Sequence, residues 1–208
     1  MNYNIVEIKV DKFPVVLVTD SHCDLFNIQR LRQQYKDNLI ICLGDIVDLF
    51  NENKDNKNQE SIEYFIKNKI LCLEGNHEQQ LVACESGNGL LARNIVGSAD
   101  YNLTQQHLDF LRGLPRGFKL ILPDKKHYLC YHCKPKCLWS FVPDIYTCTD
   151  FIREFTFNSD TNAILIGHHH KVFSLDFPDI SCKLIGIGAL KFGQYALLTE
   201  NGIENKKL

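Results

Sequence analysis

Apolar residues in the first half of the chain form short solid runs, separated by stretches where they recur every three or four positions. The runs are Phe13 to Thr19 (FPVVLVT), Leu39 to Leu43 (LIICL) and Ile70 to Leu73 (ILCL). Unbroken apolar character over so few residues predicts strands buried on both faces. Between them, Asp24 to Tyr35 carries Leu25, Ile28, Leu31 and Tyr35 at helical spacing, and Ile62 to Ile66 begins a second helical pattern. Asn51 to Gln59 (NENKDNKNQ) is wholly polar and reads as a loop. This β-α-β-α-β order predicts a parallel sheet with right-handed crossovers.

The second half changes character. Thr104 is a suitable N-cap for a helix running to about Arg112, stopped by Gly113 and Pro115. Six short strand candidates follow, at Lys119 to Leu122, His127 to Tyr131, Ala163 to Ile166, Val172 to Leu175, Lys183 to Ile187 and Tyr195 to Thr199. Pro123-Asp124 and Asn201-Gly202 supply turn signals between them. The pattern predicts an α/β fold with two mixed β-sheets, residues 1–208 forming one domain.

Composition narrows the function classes. A hydrophobic share of 45% and a charged share of 23% are those of a globular protein that builds its core without disulfides. A net charge of −2 gives no electrostatic footprint for nucleic acid or an anionic membrane. No apolar run approaches the roughly 18 residues of a membrane span, and the N-terminus lacks a basic segment followed by a long apolar one. The nine cysteines are scattered, with Cys42 and Cys72 inside apolar runs, so they read as reduced thiols of a cytoplasmic protein.

The chemistry lies just past the apolar runs. Asp20 and His22 follow the first, Asp45 and Asp48 the second behind Gly44, and Asn76 and His77 the third behind Gly75. His132 follows HYLCY, and Gly167-His168-His169-His170 follows AILI. In an open α/β sheet, residues beyond the C-terminal ends of parallel strands share one rim, where ligand sites form. Carboxylates, imidazoles and one amide at a common edge suit borderline divalent ions better than Ca2+ or Mg2+. The donors outnumber the needs of one tetrahedral site, so two ions about 3.5–4 Å apart are expected, sharing one bridging carboxylate. His77, next to Asn76, belongs near the metals as a proton donor to the leaving oxygen, with Asp48 orienting it.

Taken together, the blocks D-x-H, G-D-x-x-D, G-N-H-E, a lone His and G-H-x-H, in order from Asp20 to His170, resemble the calcineurin-like metallophosphoesterase superfamily. The resemblance implies a four-layer-type fold, a β-sandwich flanked by helices. It also implies one metal held by Asp20, His22, Asp45 and His170, and a second held by Asp45, Asn76, His132 and His168, with Asp45 as the bridge. Mn2+ is the expected ion, with Fe2+, Zn2+, Ni2+ or Co2+ also compatible. The pairing of GDIVD with GNHE is similar to the branch of Ser/Thr protein phosphatases and diadenosine tetraphosphatases, and Asp48 and His77 match that branch's Asp-His pair. Leu49 and Glu74, however, stand where that branch carries phosphate-gripping arginines, which argues against a protein phosphatase of the usual kind. Lys134 and Lys136, beyond His132, are candidates to replace that charge.

Other residues read more plainly. Asp24 is a helix cap, His107 and His127 are hydrogen-bonded structural residues, and Glu78 supports the loop after His77. His169 points away from the metals, with substrate contact as the alternative. Trp139, Phe141 and Tyr146 are lid or core packing before they are a base-stacking wall. The segments 51–60, 84–103 and 133–160 are the expected pocket walls. The expected activity is a phosphatase acting on a phosphomonoester or phosphoanhydride of a small substrate, through a metal-bridging hydroxide with His77 as general acid. The alternative is a phosphodiesterase on a small or cyclic nucleotide, and the remote one a non-catalytic scaffold.

Overall fold

The β-branched run at Val15–Val18 is a strand with every residue buried, because alternate side chains enter two different cores. Val15 and Leu17 point into the space between two sheets, while Val16 and Val18 point to a layer of helices. Ile40–Cys42 repeats the division, with Ile41 on the inner side and Ile40 and Cys42 on the helical side. Two-sided burial is why these runs show no polar alternation. The structure is a computed structural model that describes residues 4–49, 57–85, 103–134, 138 and 161–208.

The strands in chain order are β1 (Ile5–Lys9), β2 (Val15–Val18), β3 (Ile40–Cys42), β4 (Leu71–Cys72), β5 (Gly117–Ile121), β6 (His127–Tyr131), β7 (Thr161–Ile166), β8 (Val172–Phe177), β9 (Cys182–Ile187), β10 (Gln194–Thr199) and β11 (Gly202–Lys207). Four helices are described: α1 (Leu25–Gln34), α2 (Lys57–Lys67), α3 (Asn76–Glu85) and α4 (Gln105–Arg112). One sheet has the order β1-β5-β6-β7-β9-β8 and the other β11-β10-β2-β3-β4. Both are mixed. β2, β3 and β4 run parallel, as the β-α-β-α-β order predicts, and so do β6, β7 and β9. Leu43, Leu73, Leu120, Leu165 and Leu198 interdigitate between the sheets, and Ile28, Leu31, Ile62, Phe65, Leu81 and Leu111 seal the helices onto the five-stranded sheet. A third cluster, with Tyr131, Ile164, Ile166 and Leu184, lies on the outer face of the six-stranded sheet.

Four elements depart from the sequence expectations, the first being α3, a helix over Asn76–Glu85 where the sequence reads as a loop after His77. α2 begins at Lys57, so the end of the polar stretch is helical. Its buried residues include Asn58 and Ser61, which make specific hydrogen bonds instead of adding to an apolar stripe. β1 and β11 are edge strands with largely exposed side chains: β11 has Ile203 as its one apolar residue, and β1 carries Ile5, Val6 and Ile8 interrupted by Glu7, short of a solid apolar run. Elsewhere Asp24 caps α1 through the Asn27 N–H, and Thr104 caps α4 in a reciprocal pair with His107. His127 opens β6, at the end of that strand away from His132. Among the described residues, no helix is long and apolar enough to cross a membrane, and all seven cysteines are free thiols.

Candidate metal centre

Parallel strands put their C-terminal ends on one side, and the two sheets present those ends to each other. The Asp20–Cys23 loop is laced to the Gly44–Ile46 loop by three backbone bonds: Asp20 N to Gly44 O (3.0 Å), His22 N to Asp45 O (3.0 Å) and Cys23 N to Ile46 O (3.1 Å). The loops after β6 and β7 join through Gly167 N and His132 O at 3.0 Å. The two halves are then tied across the sandwich, because the His168 N–H donates to Asp20 Oδ2 at 2.8 Å and His132 Nδ1 meets the Leu43 carbonyl at 2.8 Å.

This close lacing bends the backbone. Asp20, His22, Asp45, His168 and His170 all lie at φ between 43° and 63°. That left-handed region is uncommon outside glycine, and Asp, Asn and His are the residues most often found there. Gly44, at φ 102°, lets the chain turn into Asp45, and a Cβ there would press on His132 Nδ1 at 2.8 Å. At Gly75 a Cβ would collide with the Asp45 carboxylate, so only glycine lets α3 start so close to it.

The donor atoms converge as the sequence predicts. His170 Nε2 lies 2.9 Å from Asp20 Oδ1 and 3.1 Å from His22 Nε2. His132 Nε2 lies 2.9 Å from Asn76 Oδ1 and 3.3 Å from Asp45 Oδ2. Asp45 stands between the two groups, its Oδ2 3.9 Å from both His22 Nε2 and His77 Nε2. Among the described residues, three sets have donor atoms within 4.8 Å of one another: Asp20, His22 and His170; Asp45, His132 and His168; and His22, Asp48 and His77. All seven expected ligands therefore meet at one rim. The His132 Nδ1–H donates to a carbonyl, which leaves Nε2 as a lone-pair donor toward the centre.

The electrostatics call for a cation. Asp20 and Asp45 are 0% and 1% exposed, and buried carboxylates need a counter-charge. Burial alone would raise both, but hydrogen bonds and neighbouring imidazoles hold them low: His170 and His22 at Asp20, and His132 at Asp45. Burial would pull His132 down, yet Asp45, Asp20 and Glu78 push it up to about 10. His168, with burial and the field of His132 acting together, falls to about 4. Two buried carboxylates so close to these imidazoles make a negative potential that a divalent cation would neutralise. The donor set thus fits divalent metal ions.

His77 lies beside this centre, its N–H bonded to Asp45 Oδ1 at 3.0 Å. Its Nδ1 accepts the Leu49 N–H at 3.2 Å, while Asp48 Oδ1 stands 3.9 Å from the same nitrogen. Asp48 is therefore within ion-pair reach, and the Leu49 amide makes the closer contact. Burial pulls His77 down to about 4, partly opposed by Asp45. A neutral ring that accepts at Nδ1 carries its proton on Nε2, toward Asp45.

Supporting residues are less visible in sequence. Glu78, fully buried, accepts four backbone N–H groups: Asp45 and Gly75 at Oε2 (2.9 and 2.8 Å), and Ile46 and Val47 at Oε1 (2.8 and 3.2 Å). It supports the Asp45 turn as well as the α3 start, rather than only the loop after His77. Burial and then Asp45 push its carboxyl up to about 7, against the pull of those N–H groups. Asn58 Oδ1 accepts the Asp48 N–H at 2.8 Å, and the Thr19 hydroxyl donates to Asp20 Oδ2 at 2.6 Å. Leu49 is buried, and Glu74 is ion-paired to Arg116 at 2.7 Å. His169 is partly exposed, its ring 5.7 Å from that of His168, and it belongs to none of the three donor sets. Lys134 is partly buried two residues past His132. Lys136, Trp139, Phe141, Tyr146 and most of the expected pocket walls lie outside the described residues.

Residues 13–172, more than half of the chain, match the family profile described as calcineurin-like phosphoesterase. Solved structures share the fold at low identity. A metallophosphoesterase from Sphaerobacter thermophilus is 19% identical with a TM-score of 0.62, over 94% of this chain and 88% of that one. An archaeal phosphodiesterase is 14% identical with a TM-score of 0.53, over 94% and 100%. A protein serine/threonine phosphatase from Saccharomyces cerevisiae, with similarity to human phosphatase PP5, is 12% identical with a TM-score of 0.56, over 99% and 84%. No curated protein sequence matches this one.

Proposed function

The chain belongs to the calcineurin-like phosphoesterases, hydrolases of ester bonds, and from that premise we propose a phosphatase acting on a small phosphomonoester or phosphoanhydride. Asp20, His22, Asp45 and His170 would hold one divalent ion, and Asp45, Asn76, His132 and His168 the other, with Mn2+ as the native metal and the cytoplasm as its place of action. When bound, the two ions supply Lewis-acid charge to the phosphoryl oxygens and lower the pKa of water.

The observation that carries the reading is the position of His77. Its Nε2 lies 3.9 Å from the carboxylate shared by the two ligand groups, at the edge of the centre, with Nδ1 engaged by the Leu49 N–H. In its imidazolium form the ring can pass the Nε2 proton to the oxygen that leaves phosphorus and return to neutral, and alkoxide leaving groups of monoesters need that proton. Asp48, 3.9 Å from Nδ1, stabilises the ring when it gains charge. Lys134 and Lys136 would draw the anionic substrate toward the rim.

The test is parallel turnover of p-nitrophenyl phosphate and bis-p-nitrophenyl phosphate with Mn2+, in wild type and His77→Asn. The monoester should be preferred, and the variant should keep its metals while losing roughly 10²–10⁴-fold in rate, the usual worth of a general acid. A diester preference would move the assignment to a phosphodiesterase. One observation favours that second reading: Glu74, 19% exposed beside Gly75, adds negative charge where a dianionic monoester would bind, although Arg116 offsets it.

A further inference from the structure

The chain past β9 re-enters the rim as a single 3-10 turn, Leu190–Phe192, whose backbone is fastened on three sides. Leu190 N bonds to Thr19 O at 2.8 Å, Lys191 N to Asp20 O at 3.3 Å, and the Asn27 side chain of α1 donates to Leu190 O at 3.0 Å. Leu190 is fully buried as the anchor, and Gly193, at φ 72°, closes the turn with its N–H on Leu190 O at 2.7 Å. A turn so fixed has little freedom to hide its last side chain. Phe192 is left 56% exposed.

That exposure has a direction. The Phe192 ring stands 6.0 Å from the His170 ring at an interplanar angle of 76°, so it borders the imidazole that meets Asp20 and His22. The Lys191 ammonium lies over the same ring at 5.3 Å. A rigid aromatic face beside the reacting centre, with a cation against it, is the combination that holds a planar π-system attached to a phosphate. Stacking on such a face tolerates different rings, since every base has a π-face. An aliphatic phosphoester has nothing to place there.

We propose that Phe192, assisted by Lys191, is a specificity-determining residue that stacks the base of a nucleotide substrate while its phosphoryl group lies at the metal centre. This rests on the phosphoester reading above and narrows it to nucleotides. It assigns the stacking role to the turn after β9, a part of the chain that carries no family motif.

The test compares AMP with ribose 5-phosphate, which share sugar and phosphate and differ by the base. Calorimetric binding to the Mn2+-loaded protein is measured first, for wild type, Phe192→Ala, Phe192→Leu and Phe192→Trp. Wild type and Phe192→Trp should bind AMP more tightly than ribose 5-phosphate. In Phe192→Ala and Phe192→Leu that preference should fall by roughly 5–150-fold, the range that base–aromatic stacking spans. If turnover occurs, the fall should appear in KM more than in kcat. Phe192 is exposed, so an unchanged Tm is expected to show that each variant folds. Equal preference in wild type and Phe192→Ala, or none in wild type, overturns the proposal. Binding with the expected preference but no monoester turnover would count against the phosphatase reading alone.

Discussion

Removing the Glu78 carboxylate tests whether the metal centre is built by its ligands or by what stands behind them. In Glu78→Ala the backbone N–H groups of Asp45, Ile46, Val47 and Gly75 lose their acceptor in a fully buried setting. An orphaned buried donor costs about 1–3 kcal/mol, so four would cost about 4–12 kcal/mol if none found water. Two effects reduce that figure. The shortened side chain leaves room for a water molecule, and the loss of a charge that burial and Asp45 disfavour is a relief. The expected net loss is about 3–6 kcal/mol, a large part of the ordinary stability of a domain. Urea denaturation of the metal-free protein measures it, and calorimetric Mn2+ titration reads the second consequence, weaker binding from a displaced Asp45. Glu78→Gln, which keeps the volume but turns an NH2 group against two of the four donors, should fall between wild type and alanine. A loss below about 1 kcal/mol with unchanged metal affinity would refute the reasoning, because four buried N–H groups cannot lose a shared acceptor so cheaply.

Two further outcomes follow from the same geometry. Mn2+ at a hundred times the Kd of one of the two sites should stabilise the protein by about 2.7 kcal/mol per site filled, or roughly 5–10 °C in Tm for each. Chelation should reverse that shift and Asp45→Asn should blunt it, as differential scanning fluorimetry would show. The Glu74–Arg116 pair, 2.7 Å apart and less than a third exposed, should give a coupling energy of about 1 kcal/mol in a double-mutant cycle of Ala variants by urea denaturation; additivity would mean the pair is structurally idle.

The parts of the molecule legible in the sequence are those where burial is two-sided. β2, β3 and β7 announce themselves as solid apolar runs because each feeds two cores, and the polar residues after them then mark the rim. β11 does not, since an edge strand held by one partner needs few apolar side chains, and β1, with Ile5, Val6 and Ile8 around Glu7, is too short and interrupted to stand out. The candidate donor positions are readable because donor types cluster after strands. Their supports were not: Asn58, Ser61 and Thr19 act through single hydrogen bonds that leave no periodic trace. Glu78 is a partial exception, since an acidic residue three places after Gly75 matches the N3 position of a capping box, though its bonds to the Asp45 turn come from tertiary structure. The contact of Leu49 N–H with His77 Nδ1 is a backbone interaction and leaves no mark on residue type.

The left-handed backbone at Asp20, His22, Asp45, His168 and His170 also shapes how such a centre can be rewritten. The side chains that tolerate φ near 50°, namely Asp, Asn and His, are themselves good donors of graded hardness. An exchange such as His168→Asp or His170→Asn is therefore expected to change the donor set without asking the loop to refold. Val or Ile at the same place would break the loop before any question of chemistry arose. Side-chain chemistry and backbone conformation are thus separable at His22, His168 and His170, whereas the Asp20 and Asp45 carboxylates also accept the His168 and His77 N–H groups and so belong to the frame.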